Sequence, residues 1–151
     1  MIWQIILAFF GSIFPVILFN IDRKKIIWTG FAGSFGWAAY LVVYNFYIPS
    51  VALSSFVGAL VVGIYSEIMA RWLKTPAVQF SIPGIFPLVP GIMAYMTISS
   101  IVKQNYSAAA YMGVQTLAAG GAISFGIMIS ATTTKLLTLL SKSGSNTISD
   151  K

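Results

Sequence analysis

Four stretches of the chain contain no charged residue, and together they cover most of its 151 residues: 1–21, 26–66, 75–102 and 104–134. A bilayer core of roughly 30 Å needs about 20 apolar residues for each helical span. Three of the stretches are therefore long enough for one span each, and residues 26–66 are long enough for two. The pattern predicts an all-α integral membrane protein, a bundle of five transmembrane helices.

Charged residues and prolines set the ends of these spans. Pro49 and Ser50 divide residues 26–66, because proline disfavours helix at the residue before it. A single transmembrane domain over 1–140 is predicted, with spans at about 2–19, 26–46, 51–70, 78–102 and 108–134. We expect the fifth span to extend into the interface past Lys135, and residues 141–151 to form a polar cytoplasmic tail. The alternative is four spans, with 78–102 re-entering the membrane without crossing it.

The distribution of basic residues predicts the orientation. With five crossings, one side of the membrane receives eight of the nine basic residues: Arg23, Lys24, Lys25, Arg71, Lys74, Lys135, Lys142 and Lys151. The other side receives only Lys103. Cytoplasmic loops carry the excess of Lys and Arg, so the N-terminus is predicted outside and the C-terminus in the cytoplasm.

Composition narrows the possible functions. Charged residues make up 8% of the chain, whereas a soluble domain carries about 25%. A soluble enzyme and a nucleic-acid-binding domain are therefore excluded, since the basic residues lie between apolar spans. The chain has no Cys, no His and three acidic residues, so we expect no catalytic residues, no metal site and no cofactor.

The segment that stands out is residues 80–95, FSIPGIFPLVPGIMAY. Its three prolines each lack a backbone donor and clash with the preceding helical turn, so a break in the fourth span is predicted. After Pro90 a helix of 12 residues can run from Gly91 to Val102, about 18 Å long. A break at membrane depth is tolerated only inside protein or beside a water-filled cavity. In transporters, the N-terminus of such a half-helix faces an anionic substrate group.

The candidates for the substrate path are therefore Pro83, Gly84, Pro87, Pro90, Gly91 and Tyr95, with Gln115 in the last span. The alternative is that the prolines only kink a packed helix. Glu67 is the one acidic residue within a span, which makes it a candidate ion or proton site. Its alternative is a structural ion pair with Arg71, four residues later on the same helix face.

Small residues recur four positions apart, as in Ala32/Gly36, Ala59/Gly63 and Ala122/Gly126. Such spacing allows helix backbones to approach closely. We expect these residues to pack, within the chain or against a partner.

The string PGIFPLVPGIMAY at residues 83–95 resembles the threonine/serine exporter family, and in particular the small component equivalent to the carboxy-terminal half of the fused exporters. The pair Arg71-Trp72, the following Pro76 and the Ala/Gly-rich last span agree with it. The resemblance covers about residues 5–135. It implies secondary export of threonine and serine, and some split members are associated with dicarboxylates such as succinate.

The resemblance also implies a partner, a second multi-span subunit that resembles the amino-terminal half. We therefore expect a subunit of an exporter for small carboxylate-bearing metabolites in the cytoplasmic (inner) membrane of a prokaryote. Three alternatives stay open: dicarboxylate export, a non-transporting assembly subunit, and a channel formed by a homo-oligomer. A homo-oligomer is a further possible assembly, the lipid bilayer is the expected environment, and no nucleic-acid partner is expected.

Overall fold

A computed structural model describes the backbone of residues 1–18 and 25–149 and the side chains of residues 1–17 and 25–136. This part of the chain is helical, which confirms the all-α prediction. A short 3₁₀ turn, Phe86–Leu88, lies between the fourth and fifth helices. The helices are α1 (Ile2–Leu18), α2 (Ile26–Phe46), α3 (Val51–Trp72), α4 (Val78–Ile85), α5 (Gly91–Val102) and α6 (Tyr106–Ser149).

Fewer helices than the predicted five are clearly membrane spans. In the described residues, Ile26–Phe46, Val51–Trp72 and Tyr106–Leu136 are long and apolar enough to cross a bilayer. Val78–Leu88 and Gly91–Val102 add a fourth span if this bent pair is counted as one. The first helix is apolar but has only 17 residues, at the lower end of the length that spans a membrane. The predicted end of span 1 lies outside the described residues.

Two polar residues fix where helices begin. Ser50 precedes α3, and its side chain accepts a hydrogen bond from the Leu53 amide at 3.5 Å. Asn105 precedes α6, and its Oδ1 accepts one from the Ala108 amide at 3.2 Å. Each satisfies an amide that lacks a partner in the first helical turn. The predicted break at Pro49-Ser50 is confirmed.

The helices pack as a row, with α2 and α3 at its centre. The first helix packs on α2, α6 packs on α3, and α5 packs on α6. The short α4 and the 3₁₀ turn lie across α1, α2 and α3. The buried core comprises Ala59, Val62, Leu88 and Ile123. None of the twelve residues of α5 is fully buried.

Glycines allow the central helices to approach closely. A Cβ on Gly58 would lie 2.9 Å from the Gly36 carbonyl oxygen, and a Cβ on Gly126 would lie 2.7 Å from the Phe56 carbonyl oxygen. The first contact joins α3 to α2 and the second joins α6 to α3. Close backbone approach of this kind is how small residues stabilise helix pairs in lipid. Packing within the chain therefore accounts for Gly36 and Gly126.

One end of the bundle combines basic and aromatic side chains. Lys25 Nζ donates to Gln79 Oε1 at 3.0 Å, and the rings of Trp28 and Trp72 meet edge to face at 5.1 Å. At the same end, Arg71 Nη2 donates to the Thr134 carbonyl at 3.0 Å. These contacts place the starts of α2 and α4, the end of α3 and the middle of α6 in one layer. Of the three neighbouring basic residues Arg23, Lys24 and Lys25, only Lys25 belongs to the described residues.

The last helix is longer than a membrane crossing. It has 44 residues, about 66 Å at 1.5 Å per residue, and continues without a break past Lys135 to Ser149. The polar end of the chain therefore begins within a helix. Residues 150–151 lie outside the described part.

The close contact at Gly58 gives a first testable prediction. Gly58→Ala should lower the free energy of unfolding by about 1–3 kcal/mol, because the new methyl group meets a backbone atom that cannot easily move. The matched control is Gly121→Ala, since a Cβ there has nothing within 4 Å. This control should be neutral or gain about 0.5–1 kcal/mol, as alanine favours helix over glycine. Unfolding of both variants in mixed detergent micelles measures the difference, and an equal effect would contradict the packing role.

Candidate proline-break site

The fourth segment is broken where the sequence predicts. The helical path ends in the 3₁₀ turn at Leu88, and α5 begins at Gly91 at an angle of 50° to the preceding segment. Pro90 is the residue directly before the new helix. The expected 12-residue half-helix from Gly91 to Val102 is confirmed. Pro83, by contrast, lies inside α4 and does not interrupt it.

Leu88 attaches the break to the bundle. Its side chain is 4% exposed and lies against Gly36 and Gly58, where an added Cβ would come within 3.6 Å and 3.0 Å of its methyl groups. An added Cβ on Gly58 would press against Leu88, whereas the distance at Gly36 is that of an ordinary van der Waals contact. Gly36 and Gly58, which bring α2 and α3 together, thus also form the surface on which Leu88 of the 3₁₀ turn packs.

A cavity of about 210 Å³ lies beside the break, between α2, α3 and the start of α5. The residues that line it are apolar and aromatic except for one serine, and no charged residue is among them in the described chain. They are Trp37, Tyr40, Val51, Ser55, Pro87, Leu88, Val89, Pro90, Gly91, Ile92 and Met93.

The cavity has a polar group that the rest of the described chain leaves unpaired. Trp37 Nε1 is a buried donor without a hydrogen-bond partner among the described residues. Ser55, which is 1% exposed, is the one serine in the lining. Buried polar groups are nearly always hydrogen-bonded, so the unpaired indole N–H beside this cavity indicates a place for a polar ligand or water.

The start of α5 supplies further donors to the same cavity. The first bond of the helical kind runs from the Ala94 amide to the Pro90 carbonyl at 3.0 Å. The amides of Ile92 and Met93 precede it, and first-turn amides have no acceptor within their own helix. Both residues line the cavity. A helix N-terminus carries a partial positive charge, so this wall of the cavity favours an anionic group.

An aromatic stack on α2 forms another wall. Trp37 and Tyr40 stack at 4.9 Å with an interplanar angle of 11°, and Tyr40 and Tyr44 stack at 5.7 Å with 9°. The three residues are spaced by three and four positions along α2, which places them on one face of the helix. The stack continues from the cavity toward the end of α2 at Phe46.

Only some of the predicted path residues meet at this cavity. Pro87, Pro90 and Gly91 line it. Pro83 is fully buried, and Gly84 is packed against Val62 and Ala32, so both hold α4 in place. Tyr95 is 72% exposed on α5, and Gln115 is partly buried on α6; neither lines the cavity. The roles of all these residues in the substrate path, including Pro83 and Gly84, stay predictions.

Glu67 lies elsewhere, near the basic end of α3. It is partly buried, four residues before Arg71, whose guanidinium bonds the α6 backbone at Thr134. The ion pair of Glu67 with Arg71 and the ion-site role of Glu67 both stay predictions.

Sequence reasoning missed Trp37, Tyr40 and Ser55. One signal was available: Trp37 lies in the middle of its predicted span, whereas the other three tryptophans lie toward span ends. Interfacial tryptophan is the rule in membrane proteins, so a central one is unusual. The spacing of Trp37, Tyr40 and Tyr44 was a second signal. Nothing in the sequence distinguished Ser55 from Ser54.

A comparison with known protein families bears on this geometry. The family model described as Threonine/Serine exporter, ThrE matches residues 4–133. The chain belongs to the threonine/serine exporter family. No solved structure matches the chain. The matched region includes the whole broken segment and the cavity beside it, and it agrees with the resemblance inferred from residues 83–95.

Family membership establishes the general activity. The family is one of exporter-type transporters rather than of enzymes, and the apolar helices fit a membrane protein. The broken segment and its cavity are accordingly a feature of a transport protein.

Two adjacent serines give a matched test of the cavity. Ser55→Ala should raise the half-saturating threonine concentration about three- to tenfold, because a net hydrogen bond contributes about 1 kcal/mol. Ser54 is fully buried and its hydroxyl has no partner among the described residues. Ser54→Ala should therefore leave transport unchanged and should not lower the free energy of unfolding. Uptake into inside-out vesicles measures the first effect. Equal transport in both variants would argue against a ligand at Ser55.

Proposed function

We propose that this chain is the small subunit of a secondary exporter of threonine and serine, and that the cavity beside the proline break receives the substrate. The observation that carries the proposal is the coincidence of three features in one cavity: the start of α5 at Gly91, the unpaired indole N–H of Trp37 together with the lining residue Ser55, and the stacked aromatic rings. Family membership supports the activity at a coarser level.

The chemistry of the walls fits an amino acid in its zwitterionic form. The first turn of α5 favours a carboxylate, and the faces of Trp37 and Tyr40 favour an ammonium group through the cation–π interaction. Ser55 can bond the side-chain hydroxyl that threonine and serine share. Each part of the substrate thus has a counterpart among the lining residues.

Magnitudes favour the zwitterion over a dicarboxylate. A helix N-terminus contributes about 0.3–2 kcal/mol toward one carboxylate, and a desolvated cation–π contact about 2 kcal/mol toward one ammonium. A second carboxylate would have no cation among the described lining residues, and a charged side chain at mid-membrane costs at least about 2.5 kcal/mol. A dicarboxylate would therefore need a cation from a second subunit.

We further propose five crossings in the cytoplasmic membrane, with the N-terminus outside. The first helix then crosses as a short span, and α4 with α5 crosses as one broken span. The layer of Lys25, Arg71 and the Trp28–Trp72 pair supports this arrangement, since it collects basic and aromatic side chains at one end, as expected at a cytoplasmic interface. Lys103 lies at the far end of α5. A bundle of five short spans is small for a transporter that works by alternating access. Its size therefore supports the presence of a second multi-span subunit.

Gly91→Val tests the substrate cavity. A Cβ on Gly91 meets nothing within 4 Å, so valine should not disturb the fold, but it occupies the cavity at the helix start. Threonine export should fall at least about tenfold in kcat/KM, the loss that about 1.4 kcal/mol of binding produces. The matched control is Gly121→Val, also with nothing within 4 Å of its Cβ, which should export normally. Export is measured as efflux from preloaded vesicles, with complex integrity checked by gel filtration.

The outcomes separate the rival functions. Normal export by an intact Gly91→Val complex would support a non-transporting assembly subunit. Rapid flux that does not saturate would indicate a channel. Saturable transport of succinate in place of threonine would indicate the dicarboxylate branch.

The orientation has its own test, which the absence of cysteine from the chain makes simple. Ser107→Cys at the start of α6 should react with an impermeant maleimide in intact cells. Pro76→Cys, before α4, should react only after the membrane is opened. Both residues are exposed, so accessibility within the fold is matched. The reverse pattern would overturn the proposed orientation, and reaction of both in intact cells would overturn the crossing of the broken segment.

A further inference from the structure

A second cavity lies on the other side of Trp37. It has a volume of about 260 Å³ and is lined by Gln4, Leu7, Ala8 and Gly11 of the first helix together with Trp37 and Pro87. Its lining is apolar except for the amide of Gln4 and the indole N–H, and no described charged residue lines it. No motif in the sequence connects the first helix with the proline break.

The two cavities share a partition. Trp37 and Pro87 line both of them, so the indole and the pyrrolidine ring are what separates the α1 side from the α5 side. Trp37 is stacked on Tyr40 on the side of the first cavity. Pro87 lies in the 3₁₀ turn, where the helical path is already interrupted.

The indole carries a polar group without a partner. Trp37 Nε1 is buried and has no hydrogen-bond acceptor among the described residues. A tryptophan N–H that is buried normally finds a partner, and leaving such a donor unpaired costs stability. A substrate oxygen in passage between the cavities would supply the missing acceptor.

We infer that the cavity beside the first helix is a second subsite for the amino-acid substrate, and that Trp37 is the partition and shared hydrogen-bond donor between the two subsites. This inference rests on the proposed function, because it assumes that the first cavity binds a small amino acid. The Gln4 amide is the polar group of the second subsite and can both donate to a carboxylate and accept from an ammonium. The path then runs from Gly91 past Trp37 to Gly11.

Cysteine protection tests the inference without requiring transport. Gly11→Cys and Gly91→Cys report on the second and first cavity, and a Cβ at either position meets nothing within 4 Å. Each variant is placed in the otherwise cysteine-free chain and treated in membrane vesicles with a small water-soluble thiol reagent, with and without L-threonine. Because a side chain at Gly91 weakens binding, threonine is used up to at least about tenfold above the half-saturating concentration of the unsubstituted protein. Ser107→Cys serves as the reagent control at an exposed position, and Gly121→Cys as the control on an exposed helix face.

We expect threonine to slow the labelling of both Gly11→Cys and Gly91→Cys at least about threefold, with no effect on the two controls. Adding Trp37→Phe, which keeps an aromatic ring but removes the N–H, should raise the threonine concentration needed for protection at both positions about three- to tenfold, the change that about 1 kcal/mol produces.

The outcomes are distinguishable. Protection of the Gly91→Cys variant without protection of the Gly11→Cys variant would overturn the second subsite and leave the proposed function standing. Protection of neither variant would overturn both. Protection that is unchanged by Trp37→Phe would overturn the donor role of Trp37, since removal of a ligand-facing N–H must weaken binding.

Discussion

The close approach of α2 and α3 at Gly36 and Gly58 is the contact on which the proposed substrate cavity depends. Helices in lipid gain little from the hydrophobic effect and associate through packing, so a backbone contact without side chains gives two helices a defined distance. Here the same two glycines form the surface on which Leu88 packs. The 3₁₀ turn is thereby held against the centre of the bundle, and the start of α5 is held with it. A proline break without this anchor would be only a flexible point in a membrane helix.

The anchored break shows how an apolar cavity can offer polar groups to the proposed substrate. Its lining has no charged side chain in the described residues, so it does not incur the cost of a buried ion when empty. Polarity comes instead from backbone amides and two side chains whose positions are fixed by helices. Such preoriented groups need little reorganisation when a substrate arrives. An exporter gains from weak, distributed contacts, because the substrate must leave the site as readily as it enters.

The sequence was sufficient to predict the helices and the location of the break in the fourth segment. Charge-free stretches and Pro49-Ser50 determine the long helices, because both act through local rules. The proline spacing determines where α5 begins. The sequence was not sufficient to predict the cavity, because Trp37, Tyr40 and Ser55 come close to the break only through the packing of α2 and α3. Gly84 shows the same limit, since its close packing against Val62 and Ala32 is visible only in the fold.

The exposed surface of α6 sets this helix apart from the two central helices. Only 17% of the apolar window of α6 is buried, against 39% for α2 and for α3. Gly126 approaches the backbone of α3, while Gly121 on the same helix has no neighbour near its Cβ. Lipid chains are as apolar as leucine side chains, so an apolar helix face in a bilayer does not need a protein partner to be covered. The packing that positions the proline break therefore involves α2 and α3, and the face of α6 that carries Gly121 takes no part in it.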